Sequence, residues 1–257
     1  MFLLNNDLEK IDELVTDMLS SCDNLGSDPN GVVVLDPERI EADAPWSFLE
    51  RAGDFDDSEP PPEQATRLLG HYRSMRSPGE IFLYTNNLKN FFWGLVKHHW
   101  YPSGESIRKC DLIAGARLIA LSTYYHERFH HFCDVMKVLR SDHSSNRNRE
   151  EALAVAFEVR TIRDLRRQWS GSIGSRNLSH RLYEILMVES NRHTSPGYCE
   201  WEKYKEKKDF WTALVQYVPP PNHDFLHRSG VSVRGIMHGV LHSSGVGRCP
   251  VNRSPLI

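Results

Sequence analysis

Residues Leu118 to Arg140 read LIALSTYYHERFHHFCDVMKVLR, and this stretch decides what kind of fold the chain can adopt. Leu118, Leu121, Tyr125, Phe129, Phe132, Met136 and Leu139 step by three or four residues, the stripe of an α-helix lying on a core. The helix is expected to start between Ser106 and Asp111 and to end near Arg140. The polar run from Ser141 to Asn148 (SDHSSNRN) follows it as a loop.

His126-Glu127-Arg128-Phe129-His130 stands inside this helix beside the apolar stripe. Side chains four apart share one helix face, so both imidazoles can reach a single metal ion. Glu127 sits about 100° around the helix from His126 and can face the ion's open position without ligating it. Zinc lowers the pKa of bound water toward about 7, and a neighbouring carboxylate can take its proton. The motif therefore points to metal-assisted hydrolysis, with His126 and His130 as ligands and Glu127 as general base. The same residues also fit two core-edge histidines beside an ordinary exposed glutamate.

A catalytic zinc usually takes a third protein ligand. Past the loop the chain reads Glu150-Glu151-Ala152-Leu153-Ala154-Val155-Ala156-Phe157-Glu158. Here it resembles the zincin metallopeptidases, in the branch whose third ligand is a glutamate on a later helix. Locally it is similar to the phage-immunity-repressor protease family, in which a glutamate, an alanine and a phenylalanine follow one another at intervals of three. Glu151, Ala154 and Phe157 match that pattern, and the likeness spans Tyr125 to Asp164. It implies Glu151 as third ligand, Zn2+ as cofactor, a protein or peptide as substrate, and an intracellular role. It also implies an α+β fold: a helix-rich zincin-like domain with a small sheet, including Glu80 to Thr85, packed on the H-E-x-x-H helix. In zincins an edge strand takes the substrate as an added strand, and the strand before the active helix is the candidate.

On the residues alone, the third ligand stays open. Glu158 is two turns beyond Glu151 on the same face, and Glu150 is adjacent. Asn148 followed by Glu151 resembles a capping box, which would direct that carboxylate to the backbone at the helix start. Two other readings also stay open: a zinc-binding regulatory protein without catalysis, and a metal-free interaction module.

Outward from this core, residues 1–24 are expected to be helical, with Leu8, Ile11, Val15 and Leu19 on one face. Gly26 to Asn30 reads as a turn and Val32 to Leu35 as a strand. Residues 52–63 are acidic and run into Pro60-Pro61-Pro62, which no helix or interior strand accommodates. A helix is expected from Glu63 to Met75, a turn at Ser77-Pro78-Gly79, a strand from Glu80 to Thr85, and a buried aromatic helix over 86–101 ended by Pro102 to Gly104. A helix from Asn148 past Leu165 should stop at Gly171 and Gly174, with another over Leu182 to Val188. These divisions give an N-terminal region with its linker (1–62), a metal-binding catalytic core (63–190) and a C-terminal accessory segment (191–257).

The 257 residues carry 31 Lys+Arg against 34 Asp+Glu, a net charge of −3 that gives no support to a nucleic-acid partner. No apolar run approaches the roughly 18 residues of a membrane span. The start, MFLLNNDLEK, is too briefly apolar for a secretory signal. The five cysteines are odd in number and widely spaced, so a disulfide framework is not expected and the cytoplasm is the simplest compartment. Weaker signals are Cys133 on the ligand face, the pairs His223/His227 and His238/His242, and the basic face Arg160, Arg163, Arg166 and Arg167. Each reads more simply as core or solvated surface, as do Phe92, Trp93 and Trp100. The oligomeric state is not legible.

Overall fold

The computed structural model describes residues 5–20, 36, 38, 40, 69–73, 80–104, 106–140, 146–169, 180–190, 199–218 and 251–254. Its elements are α1 (Asn5–Met18), β1 (Gly70–Arg73), β2 (Glu80–Tyr84), α2 (Thr85–Leu95), α3 (Lys109–Arg140), α4 (Arg147–Trp169), α5 (His180–Ser190), α6 (Lys207–Tyr217) and β3 (Val251–Ser254). Helix dominates the described residues.

The expected stripe helix is α3. Its start is fixed by Asp111, whose buried carboxylate accepts from the Arg108 backbone N–H at 3.1 Å, three residues back. This is the reach-back half of a capping box. Beyond its cap, α3 is more enclosed than an amphipathic surface helix. It packs against α1, α2, α4, α5, β1 and β2. Consequently Ser122, Thr123, Glu127 and His131 are buried along with the apolar stripe. Phe129 and Phe132 are at most 1% exposed, each burial contributing about 1.5–3 kcal/mol.

The aromatic run after β2 forms α2, with Phe91, Phe92 and Trp93 in the core. It passes through a π-helical turn, Val96–Trp100, and a 3-10 turn, Tyr101–Ser103. Gly104 ends the run at φ +73°, a backbone conformation that glycine adopts without a Cβ penalty. Trp93 Nε1 donates to Met18 O at 2.9 Å, tying α2 to the end of α1. In α1, Ile11, Leu14, Val15 and Met18 are the buried face.

The expected helix from Glu63 to Met75 is overturned at Gly70–Arg73, which is strand β1. β1 pairs antiparallel with β2, with Gly70 opposite Leu83 and Tyr72 opposite Ile81. β2 in turn pairs in parallel with β3. The cause is tertiary. A Cβ at Gly70 would stand 2.7 Å from Thr123 Cγ2 and 3.1 Å from Glu127 Cγ. Only a residue without a Cβ can lie this close to α3, and the pairing of Gly70–Arg73 with β2 holds the segment extended there. The order β1-β2-β3 also moves the edge. Glu80–Tyr84 has neighbours on both sides, so among the described residues the edge strand on α3 is β1, not the strand expected from sequence.

Helix α4 crosses α3, and its start is capped earlier than the sequence signal at Asn148 suggests. Asn146 Oδ1 accepts from the Arg149 N–H at 3.1 Å. Asn148 does not form a box with Glu151, and the Glu151 carboxylate is left for other work. Arg160 donates to Lys205 O at 3.1 Å and lies over the Phe210 ring, and Arg166 lies over Tyr183. The basic face is thus partly engaged within the chain. Helix α6 packs Phe210 against the Phe129–Phe157 pair, at ring-centroid distances of 6.3 Å from each. The turn at Gly26, the strand at Val32, the acidic linker, the breakers Gly171 and Gly174, and both further histidine pairs lie outside the described residues.

Candidate metal centre

His126 and His130 leave α3 on successive turns toward α4. Their Nε2 atoms are 3.2 Å apart. Glu151 Oε2, coming from α4, is 3.2 Å from His126 Nε2 and 3.4 Å from His130 Nε2. These three side chains form the candidate metal-ligand group among the described residues. Their spacing tests whether an ion fits. Donors about 2.0–2.1 Å from one zinc at tetrahedral angles lie about 3.3 Å from each other. The observed triangle has those edges. The three side chains are 12–15% exposed, so the triangle is nearly but not wholly closed.

The competing glutamates take different places. Glu158 Oε2 lies 3.3 Å from His126 Nδ1, and its other oxygen accepts from the Ser122 hydroxyl. Glu150 Oε1 lies 2.9 Å from His130 Nδ1. Its Oε2 accepts from Lys137 Nζ at 2.6 Å and from the Tyr217 hydroxyl. Each imidazole therefore has a carboxylate behind it on Nδ1 and shares Glu151 in front on Nε2. An Nδ1–H donated to a carboxylate leaves the Nε2 lone pair for a metal and orients the ring.

The charges follow from this crowding. Burial opposes the positive charge on His126, but Glu151 and Glu158 outweigh it and push its pKa up to about 9. His130 is raised in the same sense against its burial, by Glu151 and Glu150. Burial likewise opposes the negative charge of Glu150, yet His130 and Lys137 bring it down to about 2. Burial opposes the charge of Glu151 too, and the two imidazoles still hold it well below the usual carboxylate range. Burial beside Glu150 raises Tyr217, so its hydroxyl stays a donor. Without an ion, the site is a compact cluster of imidazolium and carboxylate. A divalent cation can take the place of its protons.

The Glu127 side chain lies against β1: its Cγ is 3.1 Å from where a Cβ at Gly70 would stand. It is 8% exposed and makes no hydrogen bond or ion pair to another described residue. Next along β1, the Tyr72 hydroxyl donates to Asp134 Oδ2 at 2.6 Å and lies 3.4 Å from His131 Nδ1. His131 thus belongs to the β1–α3 contact. Cys133 is fully buried in the core.

Sequence reasoning misses Ser122, Lys137 and Tyr217. Ser122 is four before His126 and Lys137 seven after His130, so helical spacing holds a signal for both. Tyr217 has none, because it comes from a distant helix.

Compared with protein-family models, with curated proteins and with solved structures, the chain gives no match in any of the three.

Proposed function

We propose that this chain is a zinc-dependent metallopeptidase with a zincin-like α+β domain, its small sheet lying on the H-E-x-x-H helix. The single observation that carries the reading is the tetrahedral-sized triangle of His126 Nε2, His130 Nε2 and Glu151 Oε2. One residue from the first ligand stands the Glu127 carboxylate, unpaired among the described residues. His126, His130 and Glu151 would hold the ion. When bound, zinc supplies Lewis acidity, bringing water into the range of proton loss near pH 7 and polarising a carbonyl. Glu127 receives the water's proton and passes it to the leaving amine. Its freedom from an ion pair within the described residues suits that role, since a carboxylate already committed to one is a weaker acceptor.

The proposed substrate is a peptide or protein segment. Support comes from β1, an edge strand on the described part of the sheet that passes directly over Glu127 at Gly70. An extended peptide could add to that edge by main-chain hydrogen bonds. Among the described residues, no helix is long and apolar enough to cross a membrane. A cytoplasmic location belongs to the same proposal and rests on the cysteine spacing in the sequence.

Metal content by mass spectrometry on the purified chain and on His126→Ala tests the centre. About one zinc per wild-type chain, lost in the variant, is expected. A peptide library digested by wild type but not by Glu127→Gln then tests the hydrolysis. Metal bound without cleavage of any peptide would replace the peptidase by a zinc-binding protein without catalysis. No metal, even after zinc is added back, would overturn both.

A further inference from the structure

We propose that Lys137 and Tyr217 are positioning residues of the metal centre, acting through Glu150 on His130. The inference rests on the metal-centre reading above. Glu150 stands between the two sides. Its Oε1 is 2.9 Å from His130 Nδ1. Its Oε2 accepts from Lys137 Nζ at 2.6 Å and from the Tyr217 hydroxyl. A carboxylate held on one oxygen by two donors cannot rotate freely, so the other oxygen stays aimed at Nδ1. That pins the His130 tautomer with its proton on Nδ1 and its lone pair on Nε2, inside the triangle. The opposite tautomer would put an N–H where a ligand must be.

The two histidines are not supported alike. Glu158, behind His126, is held by the Ser122 hydroxyl, which lies one turn away on the same helix as His126. Glu150, behind His130, is held partly from α6, a separate element. Tyr217 is the last residue of α6. Its place is set upstream by Phe210 in the core and by Arg149, which donates to Ala213 O at 3.3 Å and to Gln216 Oε1 at 3.0 Å. Lys137 Nζ also lies 5.3 Å from the Tyr217 ring centroid, so the two donors brace each other. Seating of α6 is thereby coupled, through Glu150, to the geometry of one ligand, His130.

The test uses the full chain. Zinc affinity is read by competition with a chromophoric chelator, and the coordination sphere by the visible bands of the cobalt-substituted protein. Tyr217→Phe keeps the ring and removes one donor; Lys137→Met keeps the stem and removes the other. Each is expected to weaken zinc binding roughly tenfold and to alter the cobalt bands, beyond what any fall in the melting temperature of the metal-free chain accounts for. The double variant should lose less than the product of the single losses, because both donors act on one carboxylate. Lys137→Arg should recover most of the Lys137→Met loss. If Tyr217→Phe fails to fold, Lys137→Met and its arginine rescue decide the matter. Wild-type zinc affinity and cobalt bands in both variants would overturn the positioning role alone. So would affinity losses that only track a fall in metal-free melting temperature. A wild-type chain that takes up neither zinc nor cobalt would overturn this role together with the metal centre.

Discussion

His126 and Glu158 meet through the ring nitrogen that faces away from Glu151: Nδ1 lies 3.3 Å from Oε2. This one contact separates two glutamates that the sequence places on the same face of one helix. Glu151 stands on the Nε2 side of the imidazole, where the proposed ion would sit, and Glu158 on the Nδ1 side behind it. Removing them should therefore have unequal effects. Glu151→Ala is expected to abolish stoichiometric zinc binding, while Glu158→Gln weakens it by about 10–100-fold. A chelator-competition titration on both variants checks this. Zinc retained in Glu151→Ala and lost in Glu158→Gln would reverse the assignment.

Zinc uptake should expel protons. The pKa of His126 is raised from 6.5 to about 9 in the metal-free site, so the ring is protonated at pH 7. An ion can bind only as that proton leaves, and His130 is raised in the same direction. Affinity should thus climb as pH rises toward about 9 and fall as pH drops. Calorimetry at pH 7 in buffers of different ionisation enthalpy should find about one to two protons released per zinc. Zinc binding with no proton release would mean that both imidazoles are neutral without metal.

Glu127→Gln should leave zinc content and melting temperature close to wild type, since the carboxylate has no partner among the described residues. Hydrolysis of a cleaved peptide should fall by about 10²–10⁴-fold, the range for loss of a general base. Undiminished turnover in a variant that still holds zinc would remove Glu127 from the chemistry.

Gly70→Ala forces a Cβ to within 2.7 Å of Thr123 Cγ2 and 3.1 Å of Glu127 Cγ. The strand or the helix must give way, at a cost of about 1–3 kcal/mol in denaturant titration. Thr123→Ser deletes the nearer methyl and keeps the hydroxyl that donates to Ile119 O. Added to Gly70→Ala, it should restore part of the stability. A double variant no more stable than Gly70→Ala would place the strain elsewhere.

Phe210→Ala should cost about 3–5 kcal/mol, the usual range for emptying a buried phenylalanine site. Phe210 is 2% exposed and stands beside Phe129, the neighbour of His130, and beside Phe157. Chemical denaturation is expected to give one transition at a lower midpoint. Wild-type stability in this variant would mean that α6 is not part of the core.

The local features of the fold are legible in the sequence. The period of apolar residues from Leu118 to Met136 marks α3, the strand propensity of EIFLY marks β2, and Pro102 to Gly104 marks the end of the aromatic run. His126, Glu127 and His130 are legible for the same reason, because four-residue spacing within one helix fixes which side chains share a face. Pairing between elements is not. Gly70–Arg73 reads as helix, because nothing within that segment reports that a strand must lie against Thr123 and Glu127. Glu150, Glu151 and Glu158 all stand on a helix of the right kind, and spacing alone cannot rank them. The crossing of α4 over α3 decides it, by bringing one carboxylate to the Nε2 atoms and two to the Nδ1 atoms. Tyr217 enters the site from a helix whose sequence carries no trace of the contact. Periodicity and capping are set by bonds and neighbours within a few residues. Which ligand faces which nitrogen depends on how whole helices pack, and that is settled only when the core closes.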